Sequence, residues 1–147
     1  MKKILKKIPG FSVLLDSAKA SITIIQYSFG IKSILEEERA DPNDPKWKNN
    51  PWAQVFVRRC KYAKQFSQKK RVLDLCCGTG WTANELSKVA KMVKAVDYSK
   101  ESIEKAKKEF QNENLFFEQM NALSLKYPDS SFDTVVSMEA IEHFTEN

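Results

Sequence analysis

The chain has 147 residues, of which 42% are hydrophobic and 29% are charged, and its formal net charge is +5. This length and composition predict one soluble globular domain with a core of its own. The lysines are spread along predicted helix faces, without the arginine and aromatic clusters of a nucleic-acid groove, so we expect no nucleic-acid partner. The three cysteines form neither a disulfide framework nor a zinc-binding spacing, which predicts a reducing compartment, the cytoplasm.

Residues 1–51 are predicted as an N-terminal helical arm and connector. Lysines alternate with isoleucine and leucine at the very start, so we expect a basic amphipathic arm or lid, with contact to a membrane surface as the alternative. Polar residues Asp16, Lys19 and Gln26 interrupt the apolar stretch that follows, which is therefore too short to span a membrane. Three prolines within residues 40–53 exclude a continuous helix through the connector.

A helix, a strand and a second helix are predicted in the middle of the chain. Residues 53–66 predict a helix because apolar residues recur there at helical spacing. Residues 72–80, Val-Leu-Asp-Leu-Cys-Cys-Gly-Thr-Gly, are an apolar run with a single acid, Asp74, that leads into a tight glycine loop. A helix-like segment over residues 81–90 follows. A strand that turns sharply into a helix makes a cradle in which a ligand can lie against bare backbone.

Two classes of ligand use such a cradle. Dinucleotides place a pyrophosphate on the helix N-terminus, and the stretch from Gly78 through Gly80 to Ala83 satisfies the loose G-x-G-x-x-[GA] pattern. The carboxylate of Asp74 would repel a pyrophosphate, whereas it suits a ligand that carries an ammonium and a sulfonium group. S-adenosylmethionine is such a ligand, and a dinucleotide oxidoreductase remains the alternative.

A second strand and its acid follow at a suitable distance. Residues 92–96 are a short apolar-rich run that ends in Asp97. A carboxylate at the tip of such a strand can accept both hydroxyls of a ribose. Tyr98 could stack on or flank the adenine, and Ser99 predicts the N-cap of an amphipathic helix over residues 100–110.

Two further strands complete the predicted sheet. Residues 115–119, Leu-Phe-Phe-Glu-Gln, predict a third strand, and Met-Asn-Ala follows it. Pro-Asp-Ser-Ser then predicts a turn, and residues 132–137 predict the fourth strand.

Taken together, these sequence segments resemble those of the class I S-adenosylmethionine-dependent methyltransferases. Residues 72–80 are similar to motif I of that family, where D-x-G-x-G-x-G or a near variant is usual, and Cys76 stands in place of the first glycine. Residues 127–137 look like the P-x-x-S-F-D-x-V signature before strand four. Residues 137–144 resemble the segment after strand four in the ubiquinone-biosynthesis O-methyltransferases. The resemblance covers residues 52–144.

The resemblance implies an α/β fold, a Rossmann-like doubly wound sheet. The family order is 3-2-1-4-5-7-6, and this chain supplies a partial sheet of order 3-2-1-4 beside the N-terminal helical arm. We expect residues 1–51 to be arm and connector and residues 52–147 to be an incomplete, C-terminally truncated cofactor-binding domain. Strand four would then be an open edge, which invites self-association.

The resemblance also implies roles for individual residues. Family members usually have Asp-Ala at positions 121 and 122, and Asn121 keeps a carbonyl oxygen as acceptor. Arg58, Arg59 and Tyr62 lie where related enzymes often have an Arg-Tyr helix over the cofactor. The residues expected to contact S-adenosylmethionine are Asp74 at the ammonium, the backbone of Cys76, Gly78 and Gly80 in the cradle, Asp97 at the ribose, Tyr98, Asn121 and Ala122 around the adenine, and Met138 on the floor.

His143, the single histidine of the chain, is the catalytic candidate, as a general base for a hydroxyl or amine nucleophile. On a helix, Glu139 and Glu142 would share a face with it. Some relatives bind a divalent ion through that pattern, whereas in metal-free relatives these residues cap and orient the loop; we expect no metal. The expected function is methyl transfer to a small-molecule hydroxyl. A non-catalytic cofactor-binding remnant or interaction module is the alternative.

Overall fold

A parallel sheet of five strands organises the part of the protein that the computed structural model describes, residues 23–27 and 51–140. The spatial order of the strands is β1-β5-β2-β3-β4. The order β4-β3-β2-β5 within it confirms the predicted arrangement 3-2-1-4 in family numbering. In chain order the elements are β1 (Thr23–Tyr27), α1 (Pro51–Ser67), β2 (Arg71–Leu75), α2 (Trp81–Ser87), β3 (Met92–Asp97), α3 (Lys100–Glu109), β4 (Leu115–Gln119) and β5 (Thr134–Met138).

The central strands are apolar on both faces because both faces of the sheet are covered. Four consecutive residues of β2, from Val72 to Leu75, are buried, and β2 pairs in parallel with β3 on one side and β5 on the other. Such continuous burial is typical of a parallel strand in the centre of an α/β sheet. The site residues that follow these strands are therefore held by a rigid core.

The three described helices pack on one face of the sheet. Their buried residues and the alternate residues of the strands form one cluster, the helix-side core, which comprises Cys60, Ala63, Val72, Ala83, Leu86, Val93, Ala95, Ile103, Ala106, Leu115, Phe117, Val136 and Met138. The opposite face carries a second core of Leu73, Leu75, Val96, Ala122 and Leu125. Residues 120–133, which contain no helix, supply the cover on that side.

Strand β1 corrects two predictions about the N-terminal region. Residues 23–27 form a strand instead of part of a helical arm, and they pair in parallel with β5 from Thr23↔Thr134 to Tyr27↔Met138. The sequence Thr-Ile-Ile-Gln-Tyr is rich in β-branched and aromatic residues, which favour strands. The predicted open edge at β5 was wrong because the chain's own β1 satisfies it. The rest of the predicted arm lies outside the described residues.

The helices begin and end close to the predicted positions, with two informative differences. Helix α1 begins at Pro51, which suits the first helical position because proline has no N–H to pair there. Helix α2 ends at Ser87 instead of residue 90. The side-chain amide of Asn114 donates to the carbonyls of Ser87 and Ala90 at 2.9 and 3.1 Å and so ends the helix. The Ser99 hydroxyl caps α3 as predicted, and β5 begins at Thr134, two residues later than expected.

Within the described ranges, no helix is long and apolar enough to cross a membrane. The basic segment for which surface contact was considered lies outside those ranges. The division of the chain between residues 51 and 52 stays a prediction.

Candidate functional site

The candidate site lies where the parallel strands end together. Leu75 of β2 is paired with Val96 of β3 and with Ser137 of β5, so the three strands finish at one edge of the sheet. The loop of residues 76–80 leaves β2 at this edge and enters α2. Ligands of open α/β sheets bind outside such carboxyl ends.

The loop takes left-handed backbone conformations at three positions. Cys76 has a φ of +61°, Gly78 of +54° and Gly80 of +88°. A side chain disfavours this conformation by about 1–2 kcal/mol, so position 76 is one where glycine fits without strain. The backbone N–H of Cys77 donates to the carbonyl of Val96 at 3.0 Å and fixes the loop against β3. The geometry explains why the family motif usually has a glycine where Cys76 stands.

The two glycines of the loop face different surroundings. A Cβ atom at Gly78 would meet nothing within 4 Å, so its backbone borders open space in which a ligand can lie. A Cβ at Gly80 would come within 2.7 Å of the Phe117 ring and 2.9 Å of the Ala106 Cβ. Gly80 therefore lets the start of α2 pack closely against the sheet. Its expected contact with the cofactor stays a prediction.

Asp97 holds the cradle loop from the end of β3. Its Oδ2 accepts a hydrogen bond from the Gly78 N–H at 2.8 Å, and its Oδ1 accepts one from the Ser99 N–H at 2.9 Å. A carboxylate oxygen has room for a second donor, so both oxygens can still accept from a ribose. The expected ribose contact is compatible with this arrangement.

Asp74 is a buried carboxyl group on β2, one residue before the strand ends. It is 2% exposed, and no donor among the described residues reaches its Oδ2 atom. Burial, and then the negative charge of Asp97, raise the pKa of Asp74 to about 7. A buried acceptor without a partner is costly unless something else satisfies it. Asp74 thus fits its expected contact with the ammonium of S-adenosylmethionine, since that ammonium would supply the missing positive charge.

The predicted adenine residues meet at a shallow cleft beyond β3 and β4. The cleft has a volume of about 290 Å³ and is lined by Tyr98, Gln119, Met120, Asn121, Ser124 and Lys126. Tyr98 is 75% exposed and offers its ring to this space. The Asn121 Oδ1 already accepts from the Leu123 N–H at 2.8 Å, and Ala122 is buried. The structure therefore brings Tyr98 and Asn121 together, with one lone pair of the amide oxygen in use.

The remaining predicted residues are found in other settings. Met138 is buried in the helix-side core at the end of β5. Glu139, the next residue, has a φ of +50° and forms an ion pair with Arg59 of α1. His143 and Glu142 lie outside the described residues, so the catalytic assignment stays a prediction. Within residues 23–27 and 51–140, no group of three or more potential ligands could hold a metal ion.

The Arg59–Glu139 ion pair is the feature of the site that sequence reasoning missed. The two residues are 80 positions apart, and Glu139 was considered only for a metal pattern with His143 or for capping and orienting the loop. The signal available was the arginine on the helix before motif I. The pair ties α1 to the backbone that leaves β5, at the edge where the candidate site lies.

The three cysteines are free, and their thiols are uncharged at neutral pH. Burial raises the pKa of Cys60 and of Cys76 to about 12, and it raises that of Cys77 further. The cradle therefore presents backbone N–H groups and carboxylates to a ligand, with no thiolate among them.

Comparison with known proteins identifies the family. Residues 72–147 match the family model described as "Methyltransferase domain". The uncharacterized methyltransferase YcgJ of Bacillus subtilis is 39% identical over 79 residues, which cover 52% of this chain and 31% of YcgJ. The ubiquinone biosynthesis O-methyltransferase of Methylocella silvestris is 31% identical over 87 residues, covering 58% of this chain and 34% of that protein.

Solved structures agree with the sequence comparison. The crystal structure of YcgJ gives a TM-score of 0.56 at 34% identity and covers 63% of this chain and 41% of YcgJ. The PH0226 protein of Pyrococcus horikoshii gives a TM-score of 0.57 at 28% identity, covering 71% of this chain and 48% of that protein. The chain spans about a third of the length of its two curated relatives. It belongs to the methyltransferase domain family, the class I S-adenosylmethionine-dependent methyltransferases.

Proposed function

We propose that this chain binds S-adenosylmethionine at the carboxyl ends of β2 and β3 and takes part in methyl transfer to a small-molecule hydroxyl. The observation that carries the proposal is the loop of residues 76–80, where Gly78 borders open space and donates its N–H to an acidic side chain, with a second acid on the strand that leads into the loop. One of these, Asp97, is anchored on the loop itself, and the other, Asp74, is buried without a donor on its Oδ2. Family membership argues against the dinucleotide oxidoreductase considered from the sequence.

The residues of the cradle hold and orient the ligand. When bound, S-adenosylmethionine supplies a methyl group on a sulfonium, which a nucleophile can take by in-line displacement. Asp74 supplies negative charge to the ammonium of the ligand, and Asp97 accepts from the ribose hydroxyls. Tyr98, Asn121 and Ala122 border the adenine. Since the methyl carbon is already activated, alignment of the two reactants is the protein's main contribution.

The acceptor is proposed from the relatives and from the residue that follows β5. One relative is named as a ubiquinone biosynthesis O-methyltransferase, which supports an oxygen atom of a small molecule as the acceptor. His143 would orient or deprotonate that hydroxyl, because an imidazole is the side chain best able to take a proton near neutral pH. We also propose a cytoplasmic setting, since the three free cysteines suit a reducing compartment.

Binding of S-adenosylhomocysteine to the purified chain tests the proposal first. We expect a micromolar dissociation constant by calorimetry and a raised melting temperature. Replacement of Asp97 by alanine removes charge-assisted hydrogen bonds worth about 1.5–3 kcal/mol each, so affinity should fall at least about tenfold. Asp133→Asn, at the opposite end of the sheet, is the matched control. A change below about threefold in Asp97→Ala would exclude the ribose contact.

A second experiment separates the enzyme from the non-catalytic alternative. Transfer of labelled methyl groups from S-adenosylmethionine to a panel of phenolic and aliphatic alcohols should show product. His143→Ala should keep its affinity for S-adenosylhomocysteine and lose transfer. Tight binding with no transfer to any alcohol would favour the cofactor-binding module.

A further inference from the structure

The position of Asp74 buries the Oδ2 atom of its carboxyl group. It lies on the central strand β2, between Ala95 of β3 and Val136 of β5, and both neighbours are fully buried. Because side chains alternate along a strand, Asp74 points to the same face as Val72, beneath the helices. In the ligand-free protein, neither solvent nor a donor among the described residues supplies the Oδ2 atom with a hydrogen bond.

The charged groups around Asp74 do not compensate it. Asp97, from the end of β3, is the charged group that acts on Asp74 among the described residues, and it is negative. The thiols of Cys60 on α1 and of Cys76 and Cys77 in the loop are uncharged at neutral pH.

The nearby cations are held by other carboxylates. Lys64 of α1 and Lys88, which directly follows α2, both bind Glu85. Arg59 of α1 pairs with Glu139 at the end of β5. Among the described residues, no positive charge acts on the carboxyl group that β2 buries.

We propose that Asp74 carries a proton in the ligand-free protein in weakly acidic solution and releases it when a ligand ammonium binds. The inference rests on the proposed function, since it concerns the same ligand. The O–H bond of the carboxyl group breaks, the proton passes to the buffer, and the carboxylate left behind faces the ammonium. One positive charge enters the site and one leaves it. Asp74 would thereby determine specificity, favouring ligands with an ammonium over neutral ones and doing so more strongly as the pH rises.

The size of the effect follows from the ionised fraction of Asp74. With a pKa of about 7, that fraction is about one tenth at pH 6 and about nine tenths at pH 8. Because affinity scales with the fraction of the competent state, the dissociation constant of S-adenosylhomocysteine should fall about tenfold over this interval.

Calorimetry in buffers of different ionisation enthalpy measures the released proton directly. At pH 6.5, S-adenosylhomocysteine should release about 0.8 proton per molecule bound. Methylthioadenosine, which keeps the nucleoside and the sulfur but lacks the ammonium, should bind without release and with an affinity independent of pH. Decarboxylated S-adenosylhomocysteine keeps the ammonium alone, so it should release the proton again.

Two variants assign the proton to its residue. Asp74→Asn cannot ionise, so it should bind S-adenosylhomocysteine without proton release and with the same dissociation constant at pH 6 and pH 8. Asp133→Asn, a carboxylate exchanged at the other end of the sheet, should release the proton as the wild type does. If Asp74→Asn does not fold, the contrast between the ligands in the wild type still decides.

The outcomes separate this inference from the proposed function. Binding of S-adenosylhomocysteine without proton release in the wild type would overturn the inference and leave the cofactor site intact. Release that persists in Asp74→Asn would also overturn it, because another group would then supply the proton. Failure of both S-adenosylhomocysteine and methylthioadenosine to bind a folded chain would overturn the proposed function itself, and the inference with it.

Discussion

The carboxyl groups at the two ends of strand β2 differ in whether the protein supplies them with hydrogen-bond donors. At the amino end, Arg71 binds Asp133 through Nη2 to Oδ1 at 2.8 Å and Nε to Oδ2 at 3.2 Å, and its backbone N–H donates to the same carboxylate at 2.9 Å. Arg71 lowers the pKa of Asp133. At the carboxyl end, Asp74 has no donor on its Oδ2 among the described residues, and burial raises its pKa.

The contrast shows which end pairs its carboxylate within the protein and which end leaves a carboxyl group available to a ligand. The amino end satisfies its carboxylate fully within the protein. The carboxyl end keeps a buried carboxyl group and a left-handed Cys76, both of which disfavour the ligand-free fold, beside an open space at Gly78. Such departures from local consistency are expected where a protein binds something.

The largest expected effect is the pH dependence of stability caused by Asp74. In the unfolded chain this carboxyl ionises near pH ~4, and in the folded protein its pKa is about 7. Between these values the folded state holds the extra proton, so the free energy of unfolding falls as the pH rises. The loss is on the order of 4 kcal/mol and is complete above pH ~7. Asp74→Asn should remove it, as measured by urea unfolding of both proteins from pH 4 to pH 8.

The informative quantity is the difference in the free energy of unfolding between the wild type and Asp74→Asn. Other carboxylates, among them Asp133 and Glu118, have lowered pKa values and shift stability in the opposite direction below pH ~5. They contribute equally to wild type and variant. A constant difference across the whole range would mean that Asp74 is ionised in the folded protein, against the contrast drawn above.

Gly80→Ala should destabilise the protein by about 2–3 kcal/mol. The new Cβ would lie 2.7 Å from the Phe117 ring and 2.9 Å from the Ala106 Cβ, on a backbone with a φ of +88°. Gly78→Ala is the matched control, because its Cβ meets open space and only the left-handed backbone costs about 1 kcal/mol. Urea unfolding of the two variants should rank them in this order. Equal losses would show that packing at Gly80 is looser than the structure has it.

Position 76 should reverse the usual ranking of glycine and alanine. At an ordinary position alanine is more stable than glycine by about 0.4–1 kcal/mol. With a φ of +61°, Cys76→Gly should instead be more stable than Cys76→Ala by about 1 kcal/mol. Both variants lose the thiol, so the comparison isolates backbone strain. Chemical denaturation of the pair measures it, and the ordinary ranking would contradict a strained loop.

The smallest effect belongs to the amino end. Asp133→Asn should lower the melting temperature at pH 7 by about 2 °C or less, because both partners of the ion pair are partly exposed and water screens them. The pKa of Asp133 is lowered in the folded protein, so its contribution is present near neutrality and disappears as the pH falls through that value. The difference in melting temperature between the two proteins should therefore shrink as the pH is lowered from 7 into the acid range.

Regular periodicity and motif chemistry made most of this fold predictable. Strands β3 and β4 are found within one residue of their expected bounds, and Ser99 caps α3 as expected. In each case the signal is local, since an apolar run or a capping hydroxyl acts within a few residues. The positions of Asp74, Asp97 and Gly78 at one edge followed from the same logic, because parallel strands end together.

The features that escaped prediction depend on contacts between distant residues. Strand β1 was not predicted because the strand that stabilises it by pairing, β5, lies far along the chain. The close packing of Gly80 was not predicted either, because its neighbours Ala106 and Phe117 come from two later elements. The same holds for Arg59 and Glu139. None of these contacts can be predicted from the local periodicity of the sequence.

The place of β5 in the sheet has a consequence for the order of folding. In space β5 lies between β1 and β2, yet in the chain it comes after every other described strand. During synthesis β2, β3 and β4 can assemble with their connecting helices through contacts of short range. Strand β1 must wait beside them without its partner until β5 inserts between the two. Closure of the sheet is therefore a late step of high contact order. It completes the edge of the sheet at which the candidate site lies.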